Sequence, residues 1–288
     1  MAESAVPDTI EFGDEFGVLA YVSMLERYGE ILLHADYSAL TERLKQSWPL
    51  FLGIGEDTRA MTVLVRAGLP NQMYIVYRGL IEKIVTLLYL QVVDEDIYRD
   101  YWRYVLHKKY RKAIDSFTFI TRTNDEVIVK GEVKGDISKY LPLSDAIKRF
   151  TGPSGNAKTR WENNSIDKRL KKIEAAGIID TQFIRFLVWQ VYDDASETLH
   201  ATLYGSVANR VLLDGPIKTD SELQQSIRKL LTASLFAGNL AFLSVVYWIL
   251  NLTKQGDLLA KVNEMQDISV KRMEIALQPY KKPEESSL

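Results

Sequence analysis

Apolar positions recur every three to four residues along most of the chain, and the strict alternation of a half-buried strand is nearly absent. That recurrence is the mark of helices burying one face. Over 15–40 the series Leu19, Val22, Leu25, Tyr28, Leu32 and Leu33 follows it. Residues 44–52 predict a short helix interrupted by Pro49 and closed by Gly53 and Gly55. Asp57 and Thr58 then cap a helix over 58–67, which stops at Gly68-Leu69-Pro70. Residues 71–93 give the strongest helix. Met73, Tyr74, Val76, Tyr77, Leu80, Ile81, Ile84, Val85, Leu87 and Leu88 cover most of its circumference, which places it centrally.

Further helices are expected over 94–120, 165–176, 181–210, 220–254 and 257–277. The first opens on Asp94-Glu95-Asp96, which suits a helix N-terminus. Gly177 ends the second, and Gly238 is read as a bend in the fourth. Between 121 and 153 the helical period fades among Asn124-Asp125, Gly131, Gly135, Pro142 and Gly152-Pro153. Val127, Val129 and Val133 fit a short hairpin there, residues 154–162 read as a loop, and 279–288 as a polar, disordered tail. The expected fold is all-α: one multi-helix bundle over 1–278 with a partly irregular insertion around 121–164.

Residues 230–252 carry no charge and are long enough to cross a bilayer. Thr232, Ser234, Gly238, Asn239, Ser244 and Asn251 interrupt the run, and no second span exists, so a buried core helix is the expectation, with no membrane partner. The start, 1–16, is acidic and lacks a basic-then-apolar pattern, so no signal peptide is expected and the location is read as cytoplasmic. The absence of cysteine excludes disulfides, thiolate nucleophiles and Cys-ligated zinc.

Charge sharpens the picture. The chain of 288 residues is nearly neutral at −2, yet 103–172 holds 17 Lys and Arg against 8 Asp and Glu. Lys108, Lys109, Arg111, Lys112, Arg160, Lys168, Arg169, Lys171 and Lys172 cluster there with Trp161 among them. Cations interleaved with aromatic rings suit phosphate and base, so these residues are the candidate nucleic-acid contacts; the alternative is a solvated helix surface.

The candidate chemistry lies on 181–210. Tyr192, Ser196 and His200 fall at i, i+4 and i+8 on one line, beside an apolar stripe of Val188, Val191, Ala195, Leu199 and Leu203. Arg78 and Glu82 sit one turn apart inside the central helix, where a largely buried ion pair is expected. Together Arg78, Glu82, Tyr192, Ser196 and His200 make one candidate catalytic set. His is the acid or base, Arg holds phosphate or a developing oxyanion, and the rest position them. The same groups also suit a satisfied polar network locking two core helices. No phosphate loop, dinucleotide glycine motif or serine-hydrolase elbow is present. Glu197 and His200 have a di-iron Glu-x-x-His spacing, but Ile31 and Tyr104 stand at the matching offset before His34 and His107, so neither metal nor cofactor is expected.

Three elements together, Arg78-x-x-x-Glu82, Trp161 with Ile166-Asp167-Lys168-Arg169-Leu170, and Tyr192-x-x-x-Ser196-x-x-x-His200, resemble a bacterial all-helical family known only as a domain of unknown function. The resemblance covers about 58–250 and implies an all-α cytoplasmic protein. That family is distantly similar to the HEPN helical proteins, many of them RNases of toxin and antiphage systems. Their signature is Arg, four to six residues, then His on one helix. His200 has no arginine at that offset, so Arg78, from another helix, would take its place.

Two functions are therefore expected as alternatives. One is a helical effector that binds RNA or a nucleotide through a basic face and cleaves phosphodiesters, in a defence or toxin-type system. The other is a non-catalytic interaction subunit with a protein partner, in which the polar motif only locks the core.

Overall fold

The computed structural model describes residues 31–123, 141–192 and 220–277, apart from Leu33, Gly68 and Thr159. The described chain is all-α: α1 (Glu42–Arg66), α2 (Pro70–Val92), α3 (Glu95–Thr123), α4 (Leu141–Phe150), α5 (Ile166–Ala175), α6 (Gln182–Leu187), α7 (Asp220–Leu252) and α8 (Gly256–Leu277). A π turn, Val188–Tyr192, follows α6 directly. Among the described residues the only extended pairing is an isolated bridge between Thr151 and Ala157.

The contacts divide the chain into two compact units, one of Met1–Gln91 with Arg169–Leu288, the other of Val92–Lys168. In the first unit, α1 begins where the Thr41 hydroxyl accepts from the Leu44 amide at 3.2 Å. It then runs unbroken through Pro49, Gly53 and Gly55, where the sequence predicts a short helix, a stop and a new cap. The reason is its buried stripe. Leu44, Ser47, Phe51, Ile54, Thr58, Met61, Thr62 and Val65 keep helical register across all three breakers, and that burial outweighs the cost of an interior proline, about 3 kcal/mol. Asp57 and Thr58 are not caps. Asp57 pairs with Lys83 of α2 at 2.6 Å, and the Thr58 hydroxyl donates to the Ile54 carbonyl at 2.9 Å.

Helix α2 is central, with Met73, Tyr74, Tyr77, Leu80, Ile81, Ile84, Val85 and Leu87 to Leu90 all buried. Helix α7 is its apolar counterpart. The stretch Thr232–Leu252 is long and apolar enough to span a membrane, and all of it but Ser244, Tyr247, Asn251 and Leu252 is buried inside the protein. Its widest partner is α8, where the Asn239 amide donates to the Ser269 hydroxyl at 2.7 Å in a buried position. Phe242 meets Phe51 of α1 with ring centroids 5.8 Å apart. The helix is continuous through Gly238, whose role is close approach. A Cβ there would lie 2.9 Å from both Met61 Cε and Tyr77 Cε2.

The N-terminal helix expected over 15–40 falls mostly outside the described residues. Ile31, Leu32 and His34 are helical and the chain has left the helix by Ala35. Asp36 is then fastened to the α7–α8 turn, its amide donating to Gln255 Oε1 at 2.8 Å.

In the second unit α4 packs on α3. Phe150 meets Tyr104 edge-on at 5.3 Å, and Arg149 donates to Asp100 at 2.7 and 3.0 Å. Helix α4 lies in the stretch expected to be irregular. Its Pro142 stands in the first turn, where a missing amide breaks no helix bond. Gly155, at φ 77°, sits in the tight reversal that brings Thr151 and Ala157 together. The expected hairpin around Val127, Val129 and Val133, and the tail 279–288, lie outside the described residues.

Candidate functional site

Two segments far apart in sequence meet at a small polar group. Arg78 and Glu82 stand one turn apart on α2, and Arg78 Nε lies 3.4 Å from Glu82 Oε1. Tyr192, closing the π turn after α6, donates its hydroxyl to the same Oε1 at 2.6 Å. The Arg78 guanidinium carbon lies 5.2 Å from the centre of the Tyr192 ring. The short bond to an ionised acceptor is the strong link here, and the long Arg–Glu contact is the weak one.

The expectation of a largely buried ion pair is corrected. The Arg78 side chain is 19% exposed and that of Glu82 49%. Helix α2 is not covered all round: Ile75 and Glu82 are exposed, and Arg78, Gly79, Lys83 and Thr86 are half-buried, so one seam reaches solvent. The trio sits on that seam, which makes it reachable as well as held.

Burial pushes the Tyr192 phenol above its ordinary pKa, helped by its bond to Glu82 and by the carboxylate charge, with Arg78 opposing. At neutral pH the phenol is therefore a donor, not a base. Both bonds to Glu82 end on Oε1; no described residue bonds Oε2, and the side chain is half-exposed. The trio therefore combines a cation, a phenol donor and a half-exposed carboxylate. Ser196 and His200, the other two members of the expected set, lie outside the described residues, as does Glu197.

The expected nucleic-acid contacts fall into different settings. Arg169, Lys171 and Lys172 belong to the first unit, the remainder to the second. On α3, Lys108, Lys109 and Lys112 are exposed and Arg111 is half-buried. Lys108 Nζ lies 5.3 Å from the Tyr104 ring centre. Arg160 is exposed beside half-buried Trp161, which meets Tyr101 edge-on at 5.1 Å. On α5, Lys168 and Lys171 face solvent. Arg169 and Lys172 lie over the buried Tyr89 ring, 5.9 and 5.6 Å from its centre. The charge excess also thins. The whole second unit carries 15 Lys and Arg against 12 Asp and Glu, because the acidic start of α3 belongs to it.

Arg103 and His107 share α3 but form no open pair. Arg103 bonds Asp100 at 3.1 Å, and His107, 1% exposed, packs against Phe150 with Nε2 3.4 Å from the Thr151 hydroxyl. Burial first, then the charges of Arg111 and Lys108, pull the His107 pKa down.

The profile of a family of unknown function, DUF5677, matches residues 49–214. The chain belongs to that family. The DUF5677 segment takes in Arg78, Glu82, Tyr192, Ser196, His200 and every candidate basic residue, and leaves out α7 and α8. No curated protein and no solved structure is significantly similar to the chain.

Sequence reasoning passed over one residue of the DUF5677 segment. Trp189, on the same π turn as Tyr192, is 72% exposed. Nothing in the apolar pattern marks it, because exposure depends on which side of a widened helical turn the neighbours cover. The glycine-containing loop Gly152–Lys158 is closed: the Gly152, Gly155 and Lys158 amides donate to Asn156, Gly152 and Phe150 carbonyls at 2.8, 2.9 and 2.8 Å. Those donors are spent within the loop, so they do not form a phosphate cradle.

Proposed function

We propose that the protein is a cytoplasmic helical effector that binds RNA or a nucleotide and cleaves phosphodiesters at the Arg78–Glu82–Tyr192 group, completed by Ser196 and His200. The observation that carries this reading is the meeting of Glu82 and Tyr192, 110 residues apart in sequence, at 2.6 Å on a solvent-reachable seam. In this reading Arg78 binds the phosphate, since a guanidinium is matched to its oxygens. Tyr192 holds Glu82 by Oε1, which leaves Oε2 to accept a proton from an attacking hydroxyl. The oxygen so freed bonds phosphorus, the ester oxygen opposite leaves, and His200 supplies the proton that the leaving oxygen takes. A distant HEPN relationship and a defence role are what the sequence resemblance implies, with Arg78 standing in for the arginine usually on the histidine's own helix. The exposed cations Lys108, Lys109, Lys112, Arg160, Lys168 and Lys171 would add salt-sensitive attraction to the strand.

One observation favours the other reading, a non-catalytic interaction subunit. Arg78, Glu82 and Tyr192 already satisfy one another, as a group that only fastens α6 to α2 would. Incubation with total RNA and with a nucleotide pool separates the two. The effector reading expects new termini or altered nucleotides with wild type and none with His200→Ala. Unchanged pools with both proteins, at concentrations where both are folded, would leave the interaction subunit.

A further inference from the structure

We infer that the outer face of α1 is a self-association surface, across which a second copy of this chain lays its own α1 antiparallel about a two-fold axis. Pro49, Leu52, Glu56, Arg59, Val63 and Arg66 follow one another at alternating steps of three and four residues, and all are exposed. That is the spacing of a seam between two packed helices. It is turned away from the stripe of Leu44, Phe51, Ile54, Met61 and Val65 by which α1 joins its own core. Val63 is 63% exposed and Leu52 53%, the most of any large aliphatic side chain among the described residues. Single exposed aliphatics are ordinary on any surface, so the argument lies in their arrangement. Leu52 stands four positions before Glu56, and Val63 four positions after Arg59. With the axis midway between Glu56 and Arg59, Leu52 faces Val63 of the second copy, Glu56 faces its Arg59, and Pro49 faces its Arg66. Aliphatic meets aliphatic and acid meets base, each pair made twice, as an isologous contact requires. A parallel pair in register would set Glu56 on Glu56 and Arg59 on Arg59, so charge selects the antiparallel one. Glu56 and Arg59 also stand within reach of each other on one chain, yet neither makes an ion pair among the described residues. A single helix crossing is a small contact, so the dimer is weak and depends on concentration.

The test uses the full chain in sedimentation velocity from roughly 1 to 300 μM, with circular dichroism to show that each protein is folded. Wild type should shift from monomer towards dimer as its concentration rises. Glu56→Arg sets cation against cation across the axis, and Arg59→Glu sets acid against acid. Each variant alone should dimerise roughly 5- to 100-fold more weakly than wild type. An equal mixture of the two should regain association, because every charge contact in the mixed dimer is again an opposite pair. The chain has no cysteine, so introduced ones report the register. Under mild oxidation, Leu52→Cys mixed with Val63→Cys should form a disulfide between copies faster than either variant alone. Wild type that stays monomeric over the whole range would overturn the proposal. A dimer that neither charge reversal weakens would overturn it too, by placing the contact elsewhere on the molecule, as would a mixture no more associated than its parts. Disulfides between Leu52→Cys copies, with no gain in the mixture, would overturn the antiparallel register.

Discussion

Replacing Gly238 by alanine should destabilise the protein, although alanine is the better helix former. The added Cβ would lie 2.9 Å from Met61 Cε, 2.9 Å from Tyr77 Cε2 and 3.4 Å from Leu80 Cδ2. Met61 Cε ends a flexible side chain and can move. Tyr77 cannot do so cheaply: its ring is wholly buried on the central helix α2. Overfilling such a site costs about 1–3 kcal/mol, against a gain of about 0.8–1.0 kcal/mol for replacing an interior helix glycine. The net is a loss of up to about 2 kcal/mol, towards the upper end because Tyr77 is fixed, read as a fall in Tm of up to roughly 4–8 °C by circular dichroism. The same variant tests where α7 lies. In a soluble core the clash dominates; were Thr232–Leu252 inserted in a bilayer away from α1 and α2, the propensity gain alone would remain. A Tm equal to or above wild type would refute the packing argument, and a protein that partitions into membranes and needs detergent would refute the soluble-core reading of α7.

Three further outcomes are expected. Asn239→Ala removes a buried 2.7 Å bond between α7 and α8 and should cost about 1–3 kcal/mol in denaturant unfolding. His107 is held neutral below its ordinary pKa of 6.5. The unfolded chain therefore takes up a proton that the folded one refuses as pH falls from 6.5, so Tm should drop between neutral pH and about pH 5, and His107→Gln should flatten that part of the profile. A double-mutant cycle of Tyr192→Phe and Glu82→Gln should show a coupling of about 1 kcal/mol, less than the roughly 1.5–3 kcal/mol of a charged hydrogen bond because the site is half-exposed; additive losses would deny the bond.

The helical period was enough to read the class of the fold, and the apolar run of 71–93 was enough to expect α2 largely buried, though not the seam it leaves open to solvent. What misled was punctuation. Pro49, Gly53 and Gly55 look like stops, yet the buried stripe from Leu44 to Val65 keeps its register straight through them. Pro142 looks like a breaker, yet Leu143, Ala146, Ile147 and Phe150 carry a helical face from the turn in which it sits. Of the candidate site, the i, i+4 spacing of Arg78 and Glu82 was legible, and Tyr192 was singled out on the second segment, while the rest of its line, Ser196 and His200, lies outside the described residues. Their exposure was not, since it depends on which part of α2 goes uncovered. The basic run read as one feature because sequence distance is all a sequence offers. In three dimensions its members belong to two compact units, and Arg169 and Lys172 lie over Tyr89.

The central claim is that Glu82 and His200 serve one phosphodiester step, and single-turnover cleavage of an end-labelled RNA by wild type, Glu82→Gln, His200→Ala and the double variant addresses it. Groups acting in the same step are strongly non-additive when removed together. The account predicts cleavage by wild type, a large loss in each single variant, and a double variant no slower than the slower single one, with all four proteins folded. Wild-type cleavage that survives both substitutions undiminished would contradict it.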